Sequence, residues 1–312
     1  MKYKYLFGPV PSRRLGISLG VDLVPHTVCS LNCVYCEVGK TTNLTTEREE
    51  YIPLNDILTE LKSYLNDKPK LDYITFSGAG EPLLHNGIGK VITFIKENYP
   101  QYKLALLTNS TLLYNENVRN EISEIDLLLP SLDAVSEKVF KKLNRPNSKL
   151  DNSKIIEGLI KFSKHFSGKI WLEVFIVPNL NDTIEELELL KNVIIDIAPD
   201  QVQLNTLDRP GTESWIEPVT KSRMEEIAEF LRPLPVEIIA KFQSRNKLMS
   251  YHKDVEQQII ETIKRRPCTD KDLSEMLGIH INDEINKYLS ELLHEGSVTS
   301  KQQERGTFFC AK

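Results

Sequence analysis

The sequence predicts an α/β protein, a partial (β/α)6 TIM-like barrel over residues 1–245 with a small separate unit over residues 252–312, and three observations carry that expectation. Apolar strand-like runs alternate with amphipathic helical ones, the pattern of crossover units and a parallel sheet. Small polar and glycine-containing segments follow those runs, where a parallel array gathers its ligands. From about His252 the alternation gives way to three closely spaced helical patterns and two short strand-like runs.

The strand-like runs are Ile17 to Val24, Tyr73 to Phe76, Leu104 to Leu107, Leu127 to Pro130, Ile170 to Val177 and Gln201 to Asn205. Between them, Ile57, Leu58, Leu61 and Leu65, and later Ile184, Leu187, Leu190, Val193 and Ile194, recur at helical spacing. Pro233 and Pro235 punctuate the exit from a helix over Met224 to Leu231, and a seventh strand-like run, Val236 to Ala240, follows. Ahead of the first run, Gly8-Pro9-Val10-Pro11-Ser12-Arg13-Arg14-Leu15-Gly16 reads as an extended path rather than a helix. Arg13 and Arg14 on it are candidates for an anionic substrate group, with solvation or a carboxylate pair inside the barrel as the alternatives.

A length of 312 residues with 40% hydrophobic content allows one large or two unequal domains and a sizeable core. No run approaches the roughly 18 apolar residues of a membrane span, and Met1 to Gly8 lacks the apolar stretch of a signal peptide. A cytoplasmic protein is expected, with no membrane partner. Five cysteines, three of them in one loop, do not resemble a secreted disulfide framework.

Those three, Cys29, Cys33 and Cys36, stand in Val28-Cys29-Ser30-Leu31-Asn32-Cys33-Val34-Tyr35-Cys36, a C-x3-C-x2-C spacing. A [4Fe-4S] cluster is held by thiolates, normally four, so three ligands in one loop leave one iron open to something other than protein. Structural zinc would want four closed ligands, commonly in paired C-x2-C units, and His26 is the candidate fourth ligand for that alternative. Cys268 and Cys310 have no close cysteine partner in sequence and read as plain thiols.

With Tyr35 in the aromatic slot before the last cysteine, the motif resembles the signature of the radical SAM enzymes, over about the first 240 residues. The resemblance implies a [4Fe-4S] cluster whose open iron chelates S-adenosylmethionine, and an external one-electron donor such as flavodoxin or ferredoxin. It also implies cleavage to a 5'-deoxyadenosyl radical. Tyr35 would lie against the adenine, or else pack around the cluster. Ser77-Gly78-Ala79-Gly80-Glu81-Pro82 matches the family's glycine-glycine-glutamate element, with Ala79 in the first glycine position. There Gly78, Ala79 and Gly80 would let the backbone approach the methionyl end, and Glu81 would accept from its ammonium. A bulky side chain at Gly80 is therefore expected to spare iron and exclude the cofactor. By the same resemblance Asn109 and Ser131 contact the cofactor. Asp133 binds ribose or caps the next helix with Ser136. Asn205 closes the sixth strand on the same face, and Arg145 is a possible partner for a substrate carboxylate or phosphate.

The amino-terminal segment resembles a narrower group, uncharacterised radical SAM proteins related to the wyosine-base synthases of tRNA. Those synthases carry a second cysteine trio, absent here. In the tail, Val255 to Ile263 reads as a helix. Thr269-Asp270-Lys271-Asp272 resembles a capping box for a second helix to Leu277, ended by Gly278. A third helix, Asn282 to His294, buries Ile285, Tyr288, Leu289, Leu292 and Leu293. With strands at Ser297 to Lys301 and Thr307 to Cys310, the unit resembles a winged-helix domain. The third helix exposes Asp283, Glu284, Asn286, Lys287, Ser290, Glu291, His294 and Glu295, and from His252 onward nine Lys or Arg face eleven Asp or Glu. Duplex DNA is thus not the expected partner, although Lys301 and Arg305 offer a weak nucleic-acid case. A peptide or protein substrate is favoured over a wyosine-like RNA base. A redox or regulatory protein without radical chemistry is the third alternative.

Overall fold

The computed structural model describes residues 3–12, 14–239, 255–277 and 283–311. Arg13, Ala240, Gly278, Asn282 and the proposed unit boundaries at 245 and 252 lie outside the described residues, as do the side chains of Asp283, Glu284, Lys287 and Glu291.

The chain forms β1 (Leu6–Ser12), β2 (Gly16–Val21), β3 (Val28–Cys29), β4 (Asn43–Leu44), α1 (Leu54–Leu65), β5 (Tyr73–Phe76), α2 (Ile88–Asn98), β6 (Lys103–Thr108), α3 (Glu116–Glu121) and β7 (Leu127–Pro130). There follow α4 (Glu137–Leu143), α5 (Asn152–Ser163), β8 (Lys169–Phe175), α6 (Ile184–Ile197), β9 (Gln201–Asn205), α7 (Lys221–Phe230) and β10 (Val236–Ile238). An eight-stranded sheet has the order β1-β2-β5-β6-β7-β8-β9-β10, antiparallel at β1–β2 and parallel from β2 onward. This mostly parallel α/β sheet is consistent with a partial barrel.

Each crossover carries a helix whose apolar stripe packs on the sheet, such as Ile57, Leu61 and Leu65 of α1, all buried. Strands covered on both faces need no polar alternation, so β7 is the uninterrupted Leu-Leu-Leu-Pro, buried throughout. Side-chain caps start several helices: Ser136 for α4, Asp151 for α5, Thr183 for α6 and Thr220 for α7.

The amino-terminal segment is extended as expected, and it pairs as β1. Proline cannot donate to a ladder, but β1 is an edge strand, where one side is unpaired. The tight link to β2 uses Gly16 at φ +69°, where an added Cβ would lie 2.2 Å from the Asp72 carboxylate that accepts from Ile17 N at 2.7 Å.

Beyond the sheet come α8 (Val255–Arg265), β11 (Cys268–Thr269), α9 (Asp270–Leu277), α10 (Asp283–His294), β12 (Val298–Gln303) and β13 (Gly306–Ala311). The three strands pair antiparallel in the order β11-β13-β12. Ile259, Ile263, Leu273, Ile285, Leu289, Leu292 and Phe309 form their own buried cluster, with Val10 of β1 packed against it. Leu293 corrects the expected α10 stripe, being 37% exposed, and Tyr288 is half-buried. Thr269 and Asp272 make the reciprocal bonds of a capping box, each backbone N–H donating 3.0 Å to the other's side chain. Among the described residues no helix is long and apolar enough to cross a membrane.

Ion pairs tie this tail to the sheet. Arg265 donates to Asp22 at 2.8 Å and lies over the Phe7 ring, and buried Arg209 pairs with Glu37 at 3.3 Å and faces Asp272 at 3.9 Å. Arg305 reaches both Asp208 and Asp272. Burial opposes the charge on Asp272, yet Arg209, Thr269 N and Arg305 hold its carboxyl below the usual range. Thr269→Ala removes the cap acceptor and should destabilise the tail by about 1 kcal/mol in denaturant unfolding followed by hydrogen exchange on α9. Unchanged protection of α9 would contradict that capping role.

Candidate metal centre

The three cysteines occupy the loop from β2 to α1, which has almost no regular structure of its own beyond the two-residue pairing of β3 with β4. Its shape is imposed by strand ends around it. Thr27 N donates to Ala79 O at 2.6 Å and Glu81 N to Val28 O at 3.0 Å, both in the loop after β5. Asn32 N and Val34 N donate to Asn144 O and Leu143 O, at the end of α4, and Glu213 N donates to Val34 O from the loop after β9. Thr212 Oγ1 donates to Cys36 O at 3.0 Å.

Side-chain amides then reach the sulfurs. Asn109 Nδ2 donates to Cys29 Sγ and Asn144 Nδ2 to Cys33 Sγ, each at 3.4 Å. The thiols are half-buried, and their pKa values rise. Burial pushes Cys29 up to about 12, with the Glu81 charge adding to it. Burial and then Asp133 push Cys33 well above its ordinary value, and burial raises Cys36. Iron bound at these sulfurs would favour their thiolate form.

Donor set and surroundings fit an iron-sulfur cluster. Soft sulfur ligands converge on one loop, and amide N–H groups are aimed at the sulfurs, as clusters use to set potential. Among the described residues no group of three or more His, Cys, Asp or Glu side chains forms a single-ion site. A cubane asks for a different arrangement, since each thiolate takes its own iron. His26, the candidate zinc ligand, instead meets Lys264 O at 2.7 Å. Cys268 is fully buried in the tail, its thiol raised by burial and donating to Arg266 O, and Cys310 is half-buried on β13; neither is in a disulfide.

Several residues expected at the cofactor also brace the loop and the strand ends. Glu81 is buried and accepts from Leu83 N (3.0 Å), Thr108 Oγ1 (2.7 Å) and Asn109 N (2.8 Å), and burial pushes its carboxyl up to about 7 despite those donors. Asn109 spends its amide on Cys29 and Ser30 and its carbonyl on Thr111. Asp133 caps no helix. It accepts from Tyr35 Oη, from Asn144 Nδ2 at 2.8 Å and from Phe175 N at 2.9 Å, and burial raises its carboxyl to about 6. Tyr35 stacks on Phe175 with ring centroids 3.9 Å apart, the aromatic-packing alternative, and burial raises its phenol.

At Gly80 a Cβ would fall 2.0 Å from Val28 O, so the missing side chain admits the cysteine loop. Gly78, at φ +117°, holds a conformation few other residues adopt, and Ala79 is buried beside it. Ser131 bridges to Glu173 at the end of β7, and Asn205 Oδ1 accepts from Thr206 N at the end of β9. Arg14 is paired with Glu173 and donates to Gln203 Oε1 at 3.1 Å, the carboxylate-pair alternative. Arg145, at φ +45°, pairs with Glu213. Sequence reading missed Asn144, although it stands beside the Arg145 that the reading singled out. An asparagine ending a helix before Arg-Pro was the available signal.

A parallel α/β sheet with a three-cysteine loop at its ligand-binding end defines an iron-sulfur enzyme of the radical type. The chain belongs to the radical SAM superfamily, whose model matches residues 23–191. Members of that superfamily bind a [4Fe-4S] cluster and S-adenosylmethionine. A protein named GTPase Obg from Brachyspira hyodysenteriae is 35% identical over 96% of this chain, which spans only 44% of that protein. The UPF0026 protein MJ1312 of Methanocaldococcus jannaschii is 31% identical over 97% of this chain and 94% of its own length. Among solved structures, a radical SAM methyltransferase from Sphaerobacter thermophilus aligns with a TM-score of 0.55 at 16% identity, covering 72% of this chain and 67% of that one. Streptococcus suis SuiB bound to precursor peptide SuiA aligns at 0.54 and 14% identity, over 72% and 48% respectively. These two likenesses are of fold.

Two outcomes follow from the geometry. Gly80→Val should lower bound iron together with cofactor affinity, measured by iron content and calorimetry on anaerobic protein, and full iron with lost cofactor binding would restore the cofactor-space reading. Asn144→Leu should retain the cluster but shift its potential negative in a redox titration, because a donor to Cys33 Sγ is lost. An unchanged potential would show that the amide does not tune it.

Proposed function

We propose that this chain reductively cleaves S-adenosylmethionine at a [4Fe-4S] cluster held by Cys29, Cys33 and Cys36, and so modifies a macromolecular substrate, a peptide or protein in preference to an RNA base. When bound, the cluster and cofactor supply transfer of one external electron into the sulfonium, giving methionine and a 5'-deoxyadenosyl radical that takes a hydrogen atom from substrate. The single observation that supports this best is the cysteine loop itself, clamped by strand ends with Asn109 and Asn144 on its sulfurs.

In this reading Gly78 and Ala79 offer backbone to the methionyl end, and Ser131 and Asn205 offer polar groups at the neighbouring strand ends. Glu81, Asp133, Asn109 and Tyr35 act at one remove, keeping the loop and strand ends in place. Residues 1–245 form the catalytic unit. Residues 252–312 form a winged-helix-like domain, a reading supported by three helices with a β-hairpin and a capping box. The domain's acidic balance favours docking of polypeptide over phosphate-rich partners.

The test uses anaerobically reconstituted full-length protein, which should bind about four irons and release 5'-deoxyadenosine on chemical reduction. Cys33→Ala should lose both and Cys268→Ala neither. A normal reducible cluster in the Cys33 variant would sink the ligand assignment. An intact cluster that never cleaves the cofactor would favour a redox or regulatory protein.

A further inference from the structure

A cavity of about 310 Å³ lies between the β1–β2 hairpin, the cysteine loop and the tail. Apolar side chains such as Leu6, Leu15, Met276 and Leu277 make more than half of its wall, and Ser18, Thr75, Thr262 and Glu261 are among the polar ones. Ser77 and Gly78 of the turn after β5, and Glu37 and Val38 just past Cys36, also line it, so it abuts the metal centre. Three arginines reach this space, and two are committed. Arg14 is paired with Glu173 and Arg265 with Asp22. Glu37 is paired with Arg209.

Arg266 differs from its neighbours. Among the described residues its side chain makes one weak hydrogen bond, to the Met276 sulfur at 3.5 Å, and no ion pair. A guanidinium carries five donors in a planar fork that matches a carboxylate in two parallel bonds. Here Arg266 lines a mixed space with its donors largely unspent. Burial, and then the charge of Arg209, lower the pKa of Arg266, while the Glu37 and Asp272 carboxylates nearby raise it.

We propose that this cavity is the substrate site and that Arg266 anchors in it a single carboxylate of a molecule or side chain whose remaining body is apolar. This rests on the radical reading above and names the chemistry of what that reaction acts on. A nucleic-acid chain fits the space poorly. Phosphate backbones are held by several cations at once, whereas among the described residues one guanidinium here is uncommitted and much of the wall is hydrocarbon. One carboxylate matches one fork. The tail thus supplies part of the substrate site, and α8 and α9 are functional walls of it.

The experiment uses anaerobically reconstituted full-length protein saturated with S-adenosylmethionine, so that the cofactor's own carboxylate is already seated. Hexanoate is the probe and hexan-1-ol its uncharged counterpart, followed by ligand-observed magnetic resonance and calorimetry. Hexanoate should bind at least tenfold more tightly than the alcohol, and Arg266→Gln should remove that preference. Because a variant can fail by misfolding, hexanoate should also protect Arg266 of the native chain from phenylglyoxal, scored by mass spectrometry. Competition by blocked Ala-Ala-Glu-Ala-Ala, but not by its Gln counterpart, identifies a polypeptide source. Hexanoate binding without that competition identifies a free acid. Equal binding of alcohol and acid, displacement of hexanoate by excess cofactor, or binding of hexyl phosphate in place of hexanoate would each overturn the proposal. Release of 5'-deoxyadenosine is measured in the same samples. If native protein binds hexanoate yet cleaves no cofactor, the radical reading fails while the anchor stands. If it cleaves cofactor but ignores hexanoate, the anchor alone fails.

Discussion

The structure turns on a loop that cannot hold its own shape. Between β2 and α1 the chain must bring three thiols together, and with only a two-residue pairing inside it the loop borrows its geometry from the ends of neighbouring strands. One of these contacts is the approach of Gly80 to Val28 O, where an added Cβ would intrude at 2.0 Å. Buried Glu81 extends the same join. By accepting from Leu83, Thr108 and Asn109 it locks the turn after β5 to the end of β6, and Asn109 passes that order on to Cys29. A parallel network runs from Asp133 through Asn144 to Cys33. Each carboxylate sits where burial disfavours its charge, and several donors offset that cost.

The tail is bound into this arrangement rather than merely following it in sequence. Arg209 is fully buried between Glu37, one residue past Cys36, and Asp272 of the capping box. Removing one partner from such a buried pair typically costs about 3–5 kcal/mol, because the other charge is left uncompensated. The α9 cap and the cysteine loop therefore share a charge network. Arg265 with Asp22 makes a second join before Cys29. These contacts bring α8 and α9 against the cavity that adjoins the metal centre.

Much of this was legible in the sequence. Alternating apolar and amphipathic runs report a parallel sheet because each strand and helix must bury a face, and the strand positions agree to within a few residues. The C-x3-C-x2-C spacing reports a thiolate site because that chemistry needs those side chains close together. What escaped depends on distance in the fold. Two prolines argue against a strand unless the strand lies at an edge, and edge position is a property of the sheet. Glu81 and Asp133 look like ligand-binding acids until their donors are known, and those donors come from residues such as Asn109, Asn144 and Phe175. Asn144 offers only the weak local signal of an asparagine ending a helix before Arg-Pro. Its meaning comes from α4 ending beside Cys33, a long-range placement that local periodicity does not encode.

The central claim is that three clamped thiols leave the fourth iron of a cubane open to the cofactor. Pulsed electron-nuclear double resonance on the reduced, full-length protein with S-adenosylmethionine labelled with 15N at the amino group and 17O at the carboxylate tests it most directly. The account predicts hyperfine coupling from both labels to the cluster. Absence of coupling from either label, in protein whose cluster is intact and whose cofactor is bound, would contradict it.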